Sequence, residues 1–204
     1  TPLDEITNKF PENKAICKSI LKKLKNEKVN IKENEDKNNK TSLYIAISDT
    51  IFIANIKESF TRIQTIAHEC IHSVQSKKML LFNFIYSNIY MLYFGIVLIL
   101  TIFGVIKNTY IQLIILTLMS FIYYIIRSYL ETDAMIKARY IAEYYMKEYI
   151  KKERVCSEKD VEKICNKYDE MNSIGIPTYN FILALNCIIK IMFYIIVVII
   201  KTFL

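Results

Sequence analysis

The sequence predicts a mainly α-helical membrane protein with one short β-hairpin, and three observations carry that reading. Met79 to Ile106 and Asn108 to Ile126, runs of 28 and 19 residues, contain no charged side chain. Each is long enough to cross a hydrocarbon core of about 30 Å as a helix. Leu43 to Ile47 and Thr50 to Ala54 are β-branched runs separated by Ser48-Asp49, the pattern of a hairpin. Both histidines of the 204-residue chain fall four apart in His68-Glu69-Cys70-Ile71-His72, on a stretch from Phe60 to Lys77 that lacks Gly and Pro and reads as a helix.

Taken in order, Glu12 to Lys28 has the spacing of an amphipathic helix with Ala15, Ile16, Ile20, Leu21 and Leu24 inward. Glu33 to Lys40 is polar and reads as a loop. The hairpin follows; it offers either an edge on which an extended peptide pairs or a cover over a cleft. On the helix Phe60 to Lys77, Thr61, Gln64, Thr65, His72 and Gln75 share the side of His68, while Ile63, Ile66, Ala67, Cys70, Ile71 and Val74 take the other. Only Lys107-Asn108-Thr109 separates the two uncharged runs, so they form an antiparallel hairpin of spans. Ser157 to Met171 begins with a capping-box-like Ser157 and Asp160 and is expected to stop near Gly175, before Pro177. Tyr179 to Thr202 is a third apolar stretch interrupted by Lys190, which leaves two or three spans open. No span reads as a cleavable secretory signal. One membrane-embedded domain over 1–204 is expected, with parts 1–78, 79–130, 131–175 and 179–203.

Charge orients these parts. Residues 1–78 carry 14 Lys or Arg and residues 127–170 carry 10, against Lys107 alone in the hairpin turn. The positive-inside rule then sets the histidine motif on the cytoplasmic side of a multi-pass protein of the cell membrane. The net charge of +7 does not indicate nucleic acid, because Lys and Glu interleave without stacking aromatics. Attraction to anionic membrane lipid accounts for it. Cys17, Cys70, Cys156, Cys165 and Cys187 include no CxxC pair and read as ordinary thiols, Cys70 as packing.

Histidines four apart on a helix stack on one face, where both rings can reach one Zn2+ ion. Glu69 lies about 100 degrees round, suited to a bound water and not to the metal. A catalytic zinc needs a third protein ligand, and with no other histidine it must be a carboxylate or a thiolate. Glu131 is the first candidate, since it follows the second span and shares a face with the small residues Ala134, Ala138 and Ala142. Asp133 is the second, either as ligand or as an acceptor that orients a histidine ring. Two surface histidines on a wet helix face, and a Glu131 paired with Arg127, are the plainer alternatives.

Ala67-His68-Glu69-Cys70-Ile71-His72-Ser73-Val74-Gln75, followed two spans later by Glu131-Thr132-Asp133-Ala134, resembles the YugP-type bacterial membrane zinc peptidases, whose pattern is HExxHxxQ and then Glu-x-Asp-Ala. It is more distantly similar to HtpX-type and CAAX-processing membrane proteases. The resemblance spans about residues 41–145, and Ile71 departs from the small residue those proteins often carry there. It implies a zincin-like gluzincin fold, with His68, His72 and Glu131 as zinc ligands and Glu69 as catalytic base. The expected function is a zinc metalloendopeptidase, a hydrolase that cleaves a peptide or membrane-protein substrate with a zinc-activated water. Arg139 and Tyr140 are weak candidates for stabilising the oxyanion. The alternative is a non-catalytic membrane assembly, immunity or scaffold protein that retains a structural zinc.

The hairpin of spans is directly measurable. With single cysteines introduced at Lys57, Lys152 and Asn108 in sealed vesicles, an impermeant thiol reagent should label Lys57→Cys and Lys152→Cys from one side and Asn108→Cys from the other. Labelling of the first two from opposite sides would overturn the hairpin.

Overall fold

A computed structural model describes residues 2–33 and 41–203. Apart from Glu33, the expected loop Glu33 to Lys40 lies outside the described residues. The elements are α1 (Leu3–Asn8), α2 (Asn13–Lys23), β1 (Asn30–Glu33), β2 (Leu43–Ile45), β3 (Thr50–Ile53), α3 (Arg62–Val74), α4 (Lys77–Ile102), α5 (Thr109–Glu153) and α6 (Glu158–Phe203). The protein is therefore mainly helical with a small sheet, and α4, α5 and α6 are each long and apolar enough to cross a membrane. The chain divides into two compact units, Thr1–Lys77 with Leu130–Ile176, and Lys78–Tyr129 with Pro177–Leu204.

In the first unit the expected hairpin is present, with β2 antiparallel to β3 and Tyr44 opposite Ile51. Asp49, at the turn, takes a left-handed φ of 47°, a conformation that Asp tolerates better than most side chains. β1, not foreseen, pairs parallel to β3 and makes the order β1-β3-β2, so β2 is an edge strand. Ile51 and Ile53 of the central strand are buried. Helix α2 turns Ile16, Cys17, Ile20 and Leu21 inward, whereas Ala15, expected inside, is exposed. The i, i+4 pairs Ile16/Ile20 and Cys17/Leu21 set the buried stripe, and Ala15 lies outside it. The helix also stops short of Lys28, because Lys25 takes a left-handed φ of 56° and Asn26 donates instead to Ser73 near the end of α3.

Helix α3 buries Ile63, Ile66, Ala67, Cys70 and Ile71 as its periodicity predicts. Val74, expected among them, is 43% exposed. It belongs to the last turn, where Gln75 becomes extended with ψ 163°. The helix expected to run to Lys77 thus breaks at Gln75-Ser76, and α4 begins afresh at Lys77. At the other end of α3, Arg62 is fully buried. Its guanidinium donates to the carbonyls of Thr7, Phe10 and Pro11 and to Asn13 Oδ1, at 2.6 to 2.9 Å. One cation thereby gathers a carbonyl from the end of α1 and those of the linker to α2.

Helix α6 opens with the capping box expected of it: Ser157 Oγ accepts from the Asp160 N–H, and Asp160 accepts from the Ser157 N–H. Its expected end near Gly175 is absent, and the helix continues through Gly175 and Pro177 to Phe203. Gly175 does not adopt the left-handed conformation that a glycine stop requires. The exposed Pro177 costs the helix one backbone donor, and the apolar run beyond it resumes helical pairing at once.

The second unit places Tyr90, Val97, Leu116 and Tyr194 at its centre. Phe82, Ile89, Leu92, Phe121 and Ile189 are exposed, the outward apolar surface expected of helices solvated by lipid. Three of its tyrosines are paired: Tyr90 with Ser120 Oγ at 2.8 Å, Tyr86 with the Met119 carbonyl, and Tyr93 with Gln112. In hydrocarbon such groups would find no water in place of these partners.

Arg62→Met should destabilise the first unit by about 3 kcal/mol or more, because it strands several buried carbonyls. Thermal unfolding in detergent should show a clear fall in Tm, which Arg62→Lys restores only in part. An unchanged midpoint for Arg62→Met would remove this cation from the account of α1 and α2.

Candidate metal centre

Two helices of the first unit build the centre. His68 and His72 stand one turn apart on α3, their rings edge to face with centroids 4.6 Å apart. Their Nε2 atoms approach to 3.0 Å. From α5, Glu131 brings Oε2 to 3.4 Å from His68 Nε2 and 3.6 Å from His72 Nε2. Ala134, Ala138 and Ala142, the stripe that follows Glu131, are all fully buried and let other elements come close to this face of α5. The three residues are half-buried or buried and form a group that could hold a metal ion.

The donor set fits a divalent transition metal on its chemistry and on its spacing. Two imidazole nitrogens and a carboxylate oxygen suit zinc. The edges of the triangle, 3.0, 3.4 and 3.6 Å, bracket the roughly 3.3 Å that separates two ligand atoms about 2.0 Å from a tetrahedral centre. Three electron-rich atoms facing one another at these distances repel unless a cation, a proton or a metal, lies among them.

The second interaction layer fixes the tautomer of His72. Gln75 Nε2 donates to the Leu130 carbonyl and to Asp133 Oδ2, each at 2.9 Å. Both are acceptors, so the amide oxygen of Gln75 faces His72 Nδ1, 2.8 Å away, and that nitrogen must carry the hydrogen. Neutral His72 therefore keeps its Nε2 lone pair on the Glu131 side, the form a metal requires. Asp133, one of the two candidate ligands, lies outside the triad; it acts on His72 through Gln75 and also pairs with Lys137 at 2.7 Å. Gln75 lies three residues after His72, so its amide falls on the same face of α3 as the ring.

Glu69 is buried beside the triad and is not part of it. Burial pushes its carboxyl above the ordinary value; His68, His72 and the Tyr44 backbone N–H pull it down, Glu131 pushes it up, and the net direction is up. Tyr44 belongs to the edge strand β2, and its hydroxyl donates to Asp49, which also holds Lys77. The hairpin therefore fastens a backbone donor beside Glu69. Burial lowers the His72 imidazolium, but Glu131 and Gln75 outweigh it and raise the value. A dication at the triad would lower both groups.

Arg139 is held by Asp169 and Glu143, and Tyr140 is 63% exposed; neither is aimed at the triad. Cys70 points away from the centre into the core, with its sulfur 3.6 Å from that of Cys17. Gln75 and Tyr44 are the contributors whose part in the site sequence reasoning missed. Gln75 was visible as a polar residue on the histidine face and as the last position of the HExxHxxQ pattern, without a role, and no residue pattern marks a backbone N–H. Compared with protein-family models, curated proteins and solved structures, the chain matches none.

Purified protein should bind about one zinc per chain. Gln75→Met should weaken that affinity by about 10- to 100-fold while the fold persists, since it frees the His72 ring without removing a ligand. Equal affinities by competition with a chromogenic chelator would show that the amide does not orient the ring.

Proposed function

We propose that this chain is a membrane-embedded zinc metallopeptidase with a zincin-like centre, of the YugP type that its motif resembles, working on the cytoplasmic side. The observation that carries the reading is the division of labour on α3. His68 and His72 converge with Glu131, while Glu69 is buried beside them, outside the triad, with a raised carboxyl. A metal needed only for structure gains nothing from such a carboxylate. His68, His72 and Glu131 would hold the zinc, which as a Lewis acid would acidify a water and polarise the scissile carbonyl.

Glu69 then accepts the proton of the attacking water and later returns it to the leaving amine. Its place beside the triad but outside it leaves the carboxylate available for both halves of that cycle. Tyr44 N–H keeps the carboxylate directed, and Gln75 with Asp133 keeps His72 in register. β2 is an edge strand of the sheet and carries Tyr44 beside Glu69, a place suited to an extended peptide, and three apolar helices favour a substrate met at the membrane. A scaffold that retains zinc without chemistry would share the triad and have no use for Glu69.

Glu69→Gln preserves size and polarity and removes the base. The variant should bind zinc as wild type does and lose hydrolysis of a membrane-associated or peptide substrate by several orders of magnitude. Loss of zinc would make Glu69 a ligand, and full retention of the biological function would favour the scaffold.

A further inference from the structure

Lys190 lies at mid-depth of the third membrane helix, and its position can be measured along α6. At one end of the unit Arg127 donates to the Tyr179 hydroxyl at 3.0 Å. At the other, Lys201 reaches Gly104 in the turn between α4 and α5. Tyr179 and Lys201 are thus about 33 Å apart along the helix at 1.5 Å per residue, close to the thickness of a hydrocarbon core. Lys190 is midway, roughly 16 Å from either boundary. A lysine stem spans roughly 6 Å, so the ammonium cannot reach either interface by snorkelling.

Inside the unit its one aromatic contact is Tyr90, with Nζ 5.5 Å from the ring centroid. Among the described residues no carboxylate pairs with it. The spans themselves, 79–126 and 179–203, contain no Asp or Glu at all. One turn before it Asn186 is exposed, within a surface of Ile182, Ile189 and Phe193 that also points outward. An amide and an ammonium on adjacent turns of one helix therefore border on lipid at the depth where lipid offers them nothing.

We propose that Asn186 and Lys190 form an intramembrane docking stripe for the transmembrane helix of another protein that carries an Asp or Glu at mid-depth. Charge selects this occupant. A second copy of the chain brings no carboxylate to that depth, and lipid phosphates are held at the interfaces, out of reach. A partner carboxylate satisfies the ammonium, and the partner's backbone shields Asn186. The stripe is independent of the peptidase reading, since association and not cleavage defines it.

The test uses the full chain, labelled with a donor fluorophore, in neutral phosphatidylcholine vesicles. The probes are acceptor-labelled Leu-rich single-span peptides with Glu at the centre, Gln at the centre, or Glu at one end. Wild type should associate with the central-Glu peptide at least tenfold more tightly than with the other two. Lys190→Leu should abolish that preference, and Lys190→Glu should transfer it to a peptide with a central Lys. Equal affinities of wild type for all three peptides would overturn the proposal, and so would a preference that survives Lys190→Leu in a folded variant. The wild-type comparison decides even if a variant fails to fold.

Discussion

Two imidazoles and a carboxylate brought within 3.0 to 3.6 Å of one another are held there against their own repulsion, and the first unit is organised around that constraint. The side chains that reach this distance come from two different helices, and on α5 Glu131 is followed by fully buried alanines at 134, 138 and 142. Bulkier residues there would fill the space that another element needs. The apolar underside of α3 is matched with equal care: Ile63, Ile66, Ala67 and Cys70 have essentially no exposed surface. Packing on one side of the helix presents the histidines on the other.

Orientation is a separate matter from proximity. A histidine ring has two nitrogens, and a metal site needs the correct one to be bare. Gln75 settles this for His72 through the chemistry of its own amide, whose nitrogen is engaged by two acceptors. The spacing serves the same purpose, since a residue three positions after His72 lies beside its ring on the helix face. On the opposite side, a two-strand hairpin holds Tyr44 by its hydroxyl and leaves the backbone N–H of that residue for Glu69.

Patterns with a strong period were legible in the sequence. The uncharged runs, the β2–β3 hairpin, the buried face of α3 and the pairing of His68 with His72 follow from side-chain chemistry at fixed spacing. Glu131, by contrast, was the first of two candidates, read from its place after the second span and its alanine stripe. What escaped depends on contacts that no spacing encodes. β1 is Asn-Ile-Lys-Glu, four residues with no alternation, and exists because β3 offers it an edge. The stop expected at Gly175 failed because glycine permits a helix end without compelling one, and the apolar stretch beyond Pro177 favours helix more strongly. The Gln75 amide was assigned to the right face but not to its role, since its direction is set by Leu130 and Asp133, 55 and 58 residues away.

Charges removed from water divide here into three kinds, and the way each is compensated indicates its use. Arg62 is surrounded by carbonyl oxygens of its own chain, so its charge is matched from within and its part is to hold the fold. The triad and Glu69 bring two carboxylates and two imidazoles together, and His68, His72 and Glu131 form a donor set that could hold a metal ion. Lys190 is a cation at mid-membrane with an aromatic face for company and no anion on any of the three spans. A charge matched from within holds the fold, a cluster of donor atoms is one that could hold a metal ion, and a cation left unmatched in lipid is the group that another molecule's charge would satisfy.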